Sequence, residues 1–472
     1  MTGFAPSESL HRLVKQALDS GAASSLEKAE AMFRGYRLHV EIDAHDVSDR
    51  HHQAALLTAI TLARRVFLGG ISVSGRLDVP LNTPLPLGQT LQEAVTGFGV
   101  HLLDEMPVDI PIVHIGGAPR SRRPGFALRA VFADWRGGAV PAHADAFLSS
   151  DSVMELAPML AAALAVSEAF FHVQGKTATA GRRSVGLSLW RPDAADWLAP
   201  DPAAMPLQFL PSHLWLIGLG HLGQAFLWAL MLLPYEQPDG ASLVLQDVDT
   251  ITPSTESTSI LSDATMVGKK KTRAMAAWAE RRGFSTAVVE RLFDSTFRRA
   301  ETDPPIALCG LDNAVGRMAL DTAAFPLVVE AGLGRDNRNF QTIRLHTLPA
   351  TRSAAEIWGG TDATADELAH MPTYEELLET GKLDQCGVTL LAGKAVGAPF
   401  VGATAATLVI AEVLRFLHGE PVSQLIDLDL RSPDAKFAVR RDAPPDFNPG
   451  YVPVRTCLEP RNHGADATAL AL

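Results

Sequence analysis

The chain has 472 residues, 47% of them hydrophobic and 20% charged, and a formal net charge of −12. At ~150 residues per domain this predicts two or three domains with sizeable cores. An acidic balance with no long Lys/Arg block excludes a general nucleic-acid or anionic-membrane surface.

The N-terminus lacks the basic and apolar regions of a signal peptide. Three cysteines, at 309, 386 and 457, form no CxxC pair and no even-numbered framework. That fits a reducing, cytoplasmic setting and argues against a Cys-rich zinc site. Apolar stretches at 153–173, 226–234 and 401–417 are short or carry Glu155, Pro158, Glu168 or Glu412, so they are expected to be buried core helices and not membrane spans.

In chain order, residues 37–43 can form a strand, 53–67 a helix and 71–75 a second strand. Residues 110–115 and 126–132 also read as strands, and 153–173 as a long apolar helix. Alternating strands and helices predict an α/β layer over residues 1–200. The pairs Gly69-Gly70 and Gly116-Gly117 read as plain turns, so no phosphate loop is expected in this half. Residues 191–211 carry Pro192, Pro200, Pro202, Pro206 and Pro211 and read as a linker.

The second unit, 201–420, opens with Leu214-Trp215-Leu216-Ile217 and then Gly218-Leu219-Gly220-His221-Leu222-Gly223. Gly218 and Gly220 permit a tight turn and close backbone approach to a phosphate, and Gly223 lets helix and strand pack closely. The helix that follows offers unpaired N–H groups to an anion. His221 inside this turn is expected to point at solvent. A second strand ends in Asp247-Val248-Asp249, where an acid suits a ribose hydroxyl. Further on come Val267-Gly268-Lys269-Lys270-Lys271, then a helix through Arg282, a strand ending Leu311-Asp312-Asn313, and another ending at Glu330. Three like charges beside a glycine suit an anion. Strands ending in acids line one rim of a parallel sheet, where ligands bind in open α/β folds. Cys309 lies inside an apolar run and reads as core.

This ordered series resembles the adenylation domain of ubiquitin-activating E1 enzymes and their ThiF-type bacterial relatives. It runs GxGxxG, Asp247-x-Asp249-x-Ile251, Val267-Gly268-x-x-Lys271, then Leu311-Asp312-Asn313-x-x-x-Arg317. The context Leu383-Asp384-Gln385-Cys386-Gly387-Val388-Thr389 is similar to the catalytic-cysteine segment of the autophagy E1. The length of the chain resembles that of E1-like proteins encoded in bacterial antiviral operons.

The resemblance implies an α/β fold with a Rossmann-like adenylation domain at 201–420 and a degenerate, inactive N-terminal partner domain at 1–200. It implies a crossover loop at 349–398 and a C-terminal strand unit with a tail at 421–472. The implied cofactors are ATP and Mg²⁺; the implied partners are a ubiquitin-like protein and an E2-like protein, with a homodimer left open. Under it Gly218, Gly220, Gly223, Asp247, Asp249, Lys269, Lys271, Asp312 and Asn313 would hold the nucleotide, Asp312 also the metal. Cys386 would carry the acyl group as a thioester after adenylation of the partner's C-terminus. The chain departs from the family at Thr255, Thr258 and Ser259, where an Asn, an Arg and a Gln are usual. Thr cannot replace a guanidinium as a bidentate phosphate clamp. Arg12, Arg34 and Arg37 are candidates to supply the missing cation. Two other readings stay open: a non-catalytic E1-like scaffold, and an NAD-dependent oxidoreductase.

Overall fold

In the N-terminal half, short runs of Val, Ile and Leu form strands with helices laid between them. The computed structural model describes residues 6–103, 107, 109–117, 125–146, 148, 152–359 and 391–454. The N-terminal half carries α1 (Pro6–Ser9), α2 (Arg12–Asp19), α3 (Leu26–Arg34), β1 (Leu38–Ile42), α4 (Arg50–Ala63), β2 (Ile71–Ser74) and α5 (Leu91–Thr96). It continues with β3 (His101–Leu102), β4 (Ile112–Ile115), β5 (Ala127–Ala133), β6 (Arg136–Pro141), α6 (Leu156–Gln174) and β7 (Val185–Ser188). β8 (Phe209–Pro211) leads into the second half: β9 (His213–Ile217), α7 (His221–Leu232), β10 (Ser242–Gln246), α8 (Pro253–Glu256), α9 (Lys271–Arg282) and β11 (Ser285–Val289). Then follow β12 (Ile306–Cys309), α10 (Ala314–Met318), α11 (Leu320–Ala323), β13 (Leu327–Leu333), β14 (Thr342–Leu348) and α12 (Ala354–Trp358). The described chain closes with α13 (Pro399–Leu417), β15 (Ser423–Asp429), β16 (Phe437–Arg440) and β17 (Tyr451–Pro453).

Each half builds one sheet, and the two sheets share a strand order. The first runs β3-β2-β1-β4-β5-β6-β7 and the second β11-β10-β9-β12-β13-β14-β15-β16. In both, five parallel strands are followed by antiparallel ones. The order reverses beside β1 and beside β9, and a ligand crevice opens at such a point. The strand pair at the C-terminus is not the separate unit that the sequence led us to expect. β15 pairs with β14 and β16 with β15, so both extend the second sheet. The proline-rich linker is pinned as well: β8 pairs with β17, and Trp135 Nε1 donates to the Met205 carbonyl at 2.7 Å.

α4, α6, α7 and α13 bring the halves together, and a single hydrophobic cluster runs through both. Trp228 Nε1 of α7 donates to Thr58 Oγ1 of α4 at 3.0 Å across this boundary. α6 and α13 are long and apolar enough to cross a membrane, yet 89% and 94% of their apolar windows are buried within the fold. A helix apolar on all sides needs such an all-round cover.

α13 is anchored by a buried ion pair. Arg415 Nη1 lies 2.5 Å from Glu412 Oε1, and Glu412 Oε2 accepts the Ser423 N–H at 2.7 Å. Removing one partner leaves a charge with no compensation in the core, which costs about 3–5 kcal/mol. Glu412→Ala is therefore expected to shift the urea midpoint strongly downward, whereas replacing Glu412 and Arg415 together by Leu should cost far less. Equal losses in the two variants would contradict this.

Candidate functional site

The glycine turn sits where β9 passes into α7. Gly218 has φ +84°, a left-handed conformation that favours glycine. A Cβ on Gly223 would come 2.0 Å from the Gly218 carbonyl oxygen, so strand and helix approach as closely as the spacing predicts. Gly310, at the end of β12, meets the same helix from the next strand: its Cβ would lie 2.8 Å from Leu222 Cβ. Gly220 opens α7, and a Cβ there would meet no atom within 4 Å. The open side of the turn faces a cavity of about 500 Å³.

Asp247 holds the turn in place. Its Oδ2 accepts the Leu219 N–H at 2.7 Å and its Oδ1 the Asp249 N–H at 2.8 Å. Lys271, the first residue of α9, places Nζ 2.8 Å from Asp249 Oδ2 and 3.7 Å from Asp247 Oδ2. All three line the cavity.

The lysine run divides, for a local reason. Gly268 turns at φ +86°, and a bridge between Thr250 and Lys270 sends successive side chains to different sides. Lys270 Nζ donates to the Val248 carbonyl at 2.5 Å. Lys269 is exposed and is not part of the cavity wall, which corrects its expected place beside the nucleotide.

Asp312 lines the same cavity, exposed and without a hydrogen-bond partner among the described residues. Asn313 also lines the cavity, but its Oδ1 is engaged: it caps α10 by accepting the Gly316 N–H at 2.7 Å. Arg317 fixes the backbone just before Asp312, donating from Nε and Nη2 to the Leu311 carbonyl at 2.8 and 2.6 Å. Its Nε is also 3.0 Å from buried Glu330, whose other oxygen lies 3.3 Å from His346 Nδ1. Cys309 is a core residue as expected, its thiol pushed up to about 12 by burial and by Glu330 beside it. Cys386 and Cys457 lie outside the described residues.

His221 departs from expectation. Its ring does not face solvent but packs against a glycine in the first turn of α13 and another just before it: a Cβ on Gly402 would come 2.4 Å from Nε2, and one on Gly397 3.6 Å from Nδ1. Burial pushes its pKa down to about 4, with the Pro399 and Ala398 carbonyls opposing the shift. The ring is therefore neutral at ordinary pH and acts as a packing link between the glycine turn and α13.

The N-terminal half closes the cavity. Among the three arginine candidates, Arg12 reaches it; Arg34 is exposed and paired with Glu30 at 2.8 Å, and Arg37 is exposed. The Arg12 N–H donates to Ser257 Oγ and its Nη2 to Ser254 Oγ, both at 3.3 Å. Its Nη1 is buried with no hydrogen-bond partner among the described residues. Burial lowers the guanidinium pKa and the charge of Asp312 raises it. Thr255, Thr258 and Ser259 stand on the same wall. Arg291, Arg335 and Lys394 are further cations around the cavity that sequence reasoning did not single out. Arg335 follows β13 at the carboxyl rim, a signal that was available; Lys394 carried none.

Comparison with known proteins joins this geometry to a family. The BilD C-terminal domain model matches residues 210–420 and the BilD N-terminal domain model residues 37–189. The bacterial E1-like protein BilD of Collimonas sp. (strain OK412) is 44% identical over 418 residues, covering 88% of this chain and 90% of that protein. Among solved structures, E. coli MccB with AMPCPP and MccA aligns with TM-score 0.31 and 15% identity, over 46% of this chain and 60% of that one. MccB with ATP gives TM-score 0.32 and 14% identity, over 48% and 64% of the two chains. Those scores are low, and the assignment rests on the sequence matches. With both halves matched in order and a relative aligned over most of its length, the chain belongs to the BilD family of bacterial E1-like proteins.

Proposed function

We propose that the chain activates the C-terminus of a ubiquitin-like protein by adenylation, stores it as a thioester on Cys386 and passes it to an E2-like protein. The observation that carries this reading is the meeting, in one cavity, of the open glycine turn, Lys271, the exposed Asp312 carboxylate and Arg12 from the other half of the chain. An anion binds where backbone N–H groups and cations converge, and an exposed carboxylate beside them suits a divalent cation.

In the chemistry this supports, a carboxylate oxygen of the partner's tail attacks the α-phosphorus of ATP. The bond to the β-phosphate breaks, pyrophosphate leaves with the electron pair, and an acyl-adenylate remains. The Cys386 thiolate then attacks the acyl carbon, the bond to AMP breaks, and AMP leaves. Such phosphoryl chemistry is catalysed mainly by positioning and charge neutralisation. The turn and α7's first N–H groups would cradle phosphate, with Lys271 and Arg12 neutralising it. Asp247 and Asp249 would face the ribose. Asp312 would hold Mg²⁺, which supplies positive charge to the developing pyrophosphate.

The N-terminal half would be a degenerate partner domain. It repeats the strand order, but where a glycine turn would follow β1 it has acids: Asp46 Oδ2 accepts the Gly117 N–H at 2.9 Å, and Asp49 caps α4. A phosphate at that place would meet negative charge.

The test is ATP–pyrophosphate exchange with the ubiquitin-like protein encoded beside this chain. Exchange should appear with the correct partner and survive Cys386→Ser, while that variant forms no reducible thioester. No exchange with that partner would leave a non-catalytic scaffold; tight NADH binding without ATP turnover would favour an oxidoreductase. A role in antiphage defence, in the cytoplasm, is part of the proposal and is tested by plaque counts with wild-type and Asp312→Ala operons.

A further inference from the structure

We infer that His11 is a positioning residue, which sets the Arg12 guanidinium in the nucleotide cavity by capping the first turn of α2; this rests on the reading of Arg12 as a phosphate contact. His11 is the N-cap of α2, and its Nδ1 accepts the Leu13 N–H at 3.2 Å. Only a neutral imidazole keeps Nδ1 free to accept this bond. Burial keeps it neutral, lowering its pKa to about 4.

Arg65, just past the end of α4, is buried, and its side chain fastens the loop that Arg12 meets. Nε donates to the Glu256 carbonyl at 2.9 Å, and Nη2 to the Ile260 and Ser262 carbonyls at 3.0 and 2.8 Å. Arg12 meets that same loop at Ser254 and Ser257. The Arg65 side chain thus holds the loop, His11 holds the first turn of α2, and Arg12 joins the two. The loop carries Thr255, Thr258 and Ser259, which line the cavity and bring no charge to it. His11 thus lets the N-terminal half supply a cation at a defined place.

Two measurements test this on the full chain. The first is a double-mutant cycle on the Kd for ATP·Mg²⁺. His11→Ala should weaken binding about fivefold, the scale of a lost N-cap, and His11→Asn, which keeps a capping acceptor, should recover part of it. In an Arg12→Ala background His11→Ala should change little, because the group being positioned is gone. Equal effects in both backgrounds would overturn the proposal, since His11 would then act on the fold in general. In turnover, the KM for ATP should rise more than kcat falls. The second measurement needs no nucleotide: hydrogen exchange in His11→Ala should speed up in the first turn of α2 and stay unchanged in α4 and β9. Unchanged protection in that turn overturns the proposal. If the wild-type chain binds no ATP while the exchange change is found, the adenylation reading fails and the positioning of Arg12 by His11 stands.

Discussion

Asp312→Ala is expected to lower ATP–pyrophosphate exchange by about three orders of magnitude, with ATP affinity falling much less. The carboxylate stands exposed on the cavity wall without a hydrogen-bond partner among the described residues, while Asp247 is engaged with the glycine turn and Asp249 with Lys271. A bound divalent cation stabilises transition-state charge by several kcal/mol, and about 4 kcal/mol corresponds to a thousandfold in rate. Asp312→Asn keeps the shape and removes the charge, so it should fall nearly as far. An exposed carboxylate makes little contribution to folding, and the melting temperature should move little in either variant. Exchange within fivefold of wild type in Asp312→Ala would remove Asp312 from the mechanism.

Much of this site was legible because it is local. The turn at Gly218, the close approach at Gly223 and the acids at the ends of β10 and β12 follow from short patterns whose steric demands are fixed. The apolar runs that became β1, β9, β12 and β13 stood out in the same way. What was not legible depends on distant partners. Nothing near Arg12 in the chain distinguishes it from Arg34 or Arg37; its contacts at Ser254 and Ser257 lie 242 and 245 residues away. His221 reads as a loop residue until Gly402 of α13 is folded against it. The division of the lysine run follows from the bridge between Thr250 and Lys270, which a single stretch of sequence does not announce. β14 was a missed signal of another kind. Buried Ile343, Leu345 and Thr347 alternate with exposed Arg344, a period of two that was there to be read. Without β14, β15 and β16 had no sheet to join and looked like a separate unit.

Arg12→Ala is expected to reduce kcat/KM for exchange by about 10²–10³-fold, and Arg12→Lys to recover only part of the loss. The argument begins from an unfinished hydrogen-bond set. Nη2 is held by Ser254, but Nη1 is buried and has no hydrogen-bond partner among the described residues, and leaving a charged donor unsatisfied costs about 1–3 kcal/mol or more. A phosphate oxygen in the cavity would complete it. The planar fork can bind two oxygens while keeping its contact with the loop, which a lysine ammonium cannot do. Thr255 and Thr258, on the same cavity wall, offer no charge in its place. The same geometry predicts that the arginine serves the cavity of its own chain. Mixing Arg12→Ala with Asp312→Ala protein should therefore restore no exchange. Recovery on mixing would mean that the arginine reaches into a neighbouring copy, and that the contact of α2 with Ser254 and Ser257 is remade between chains.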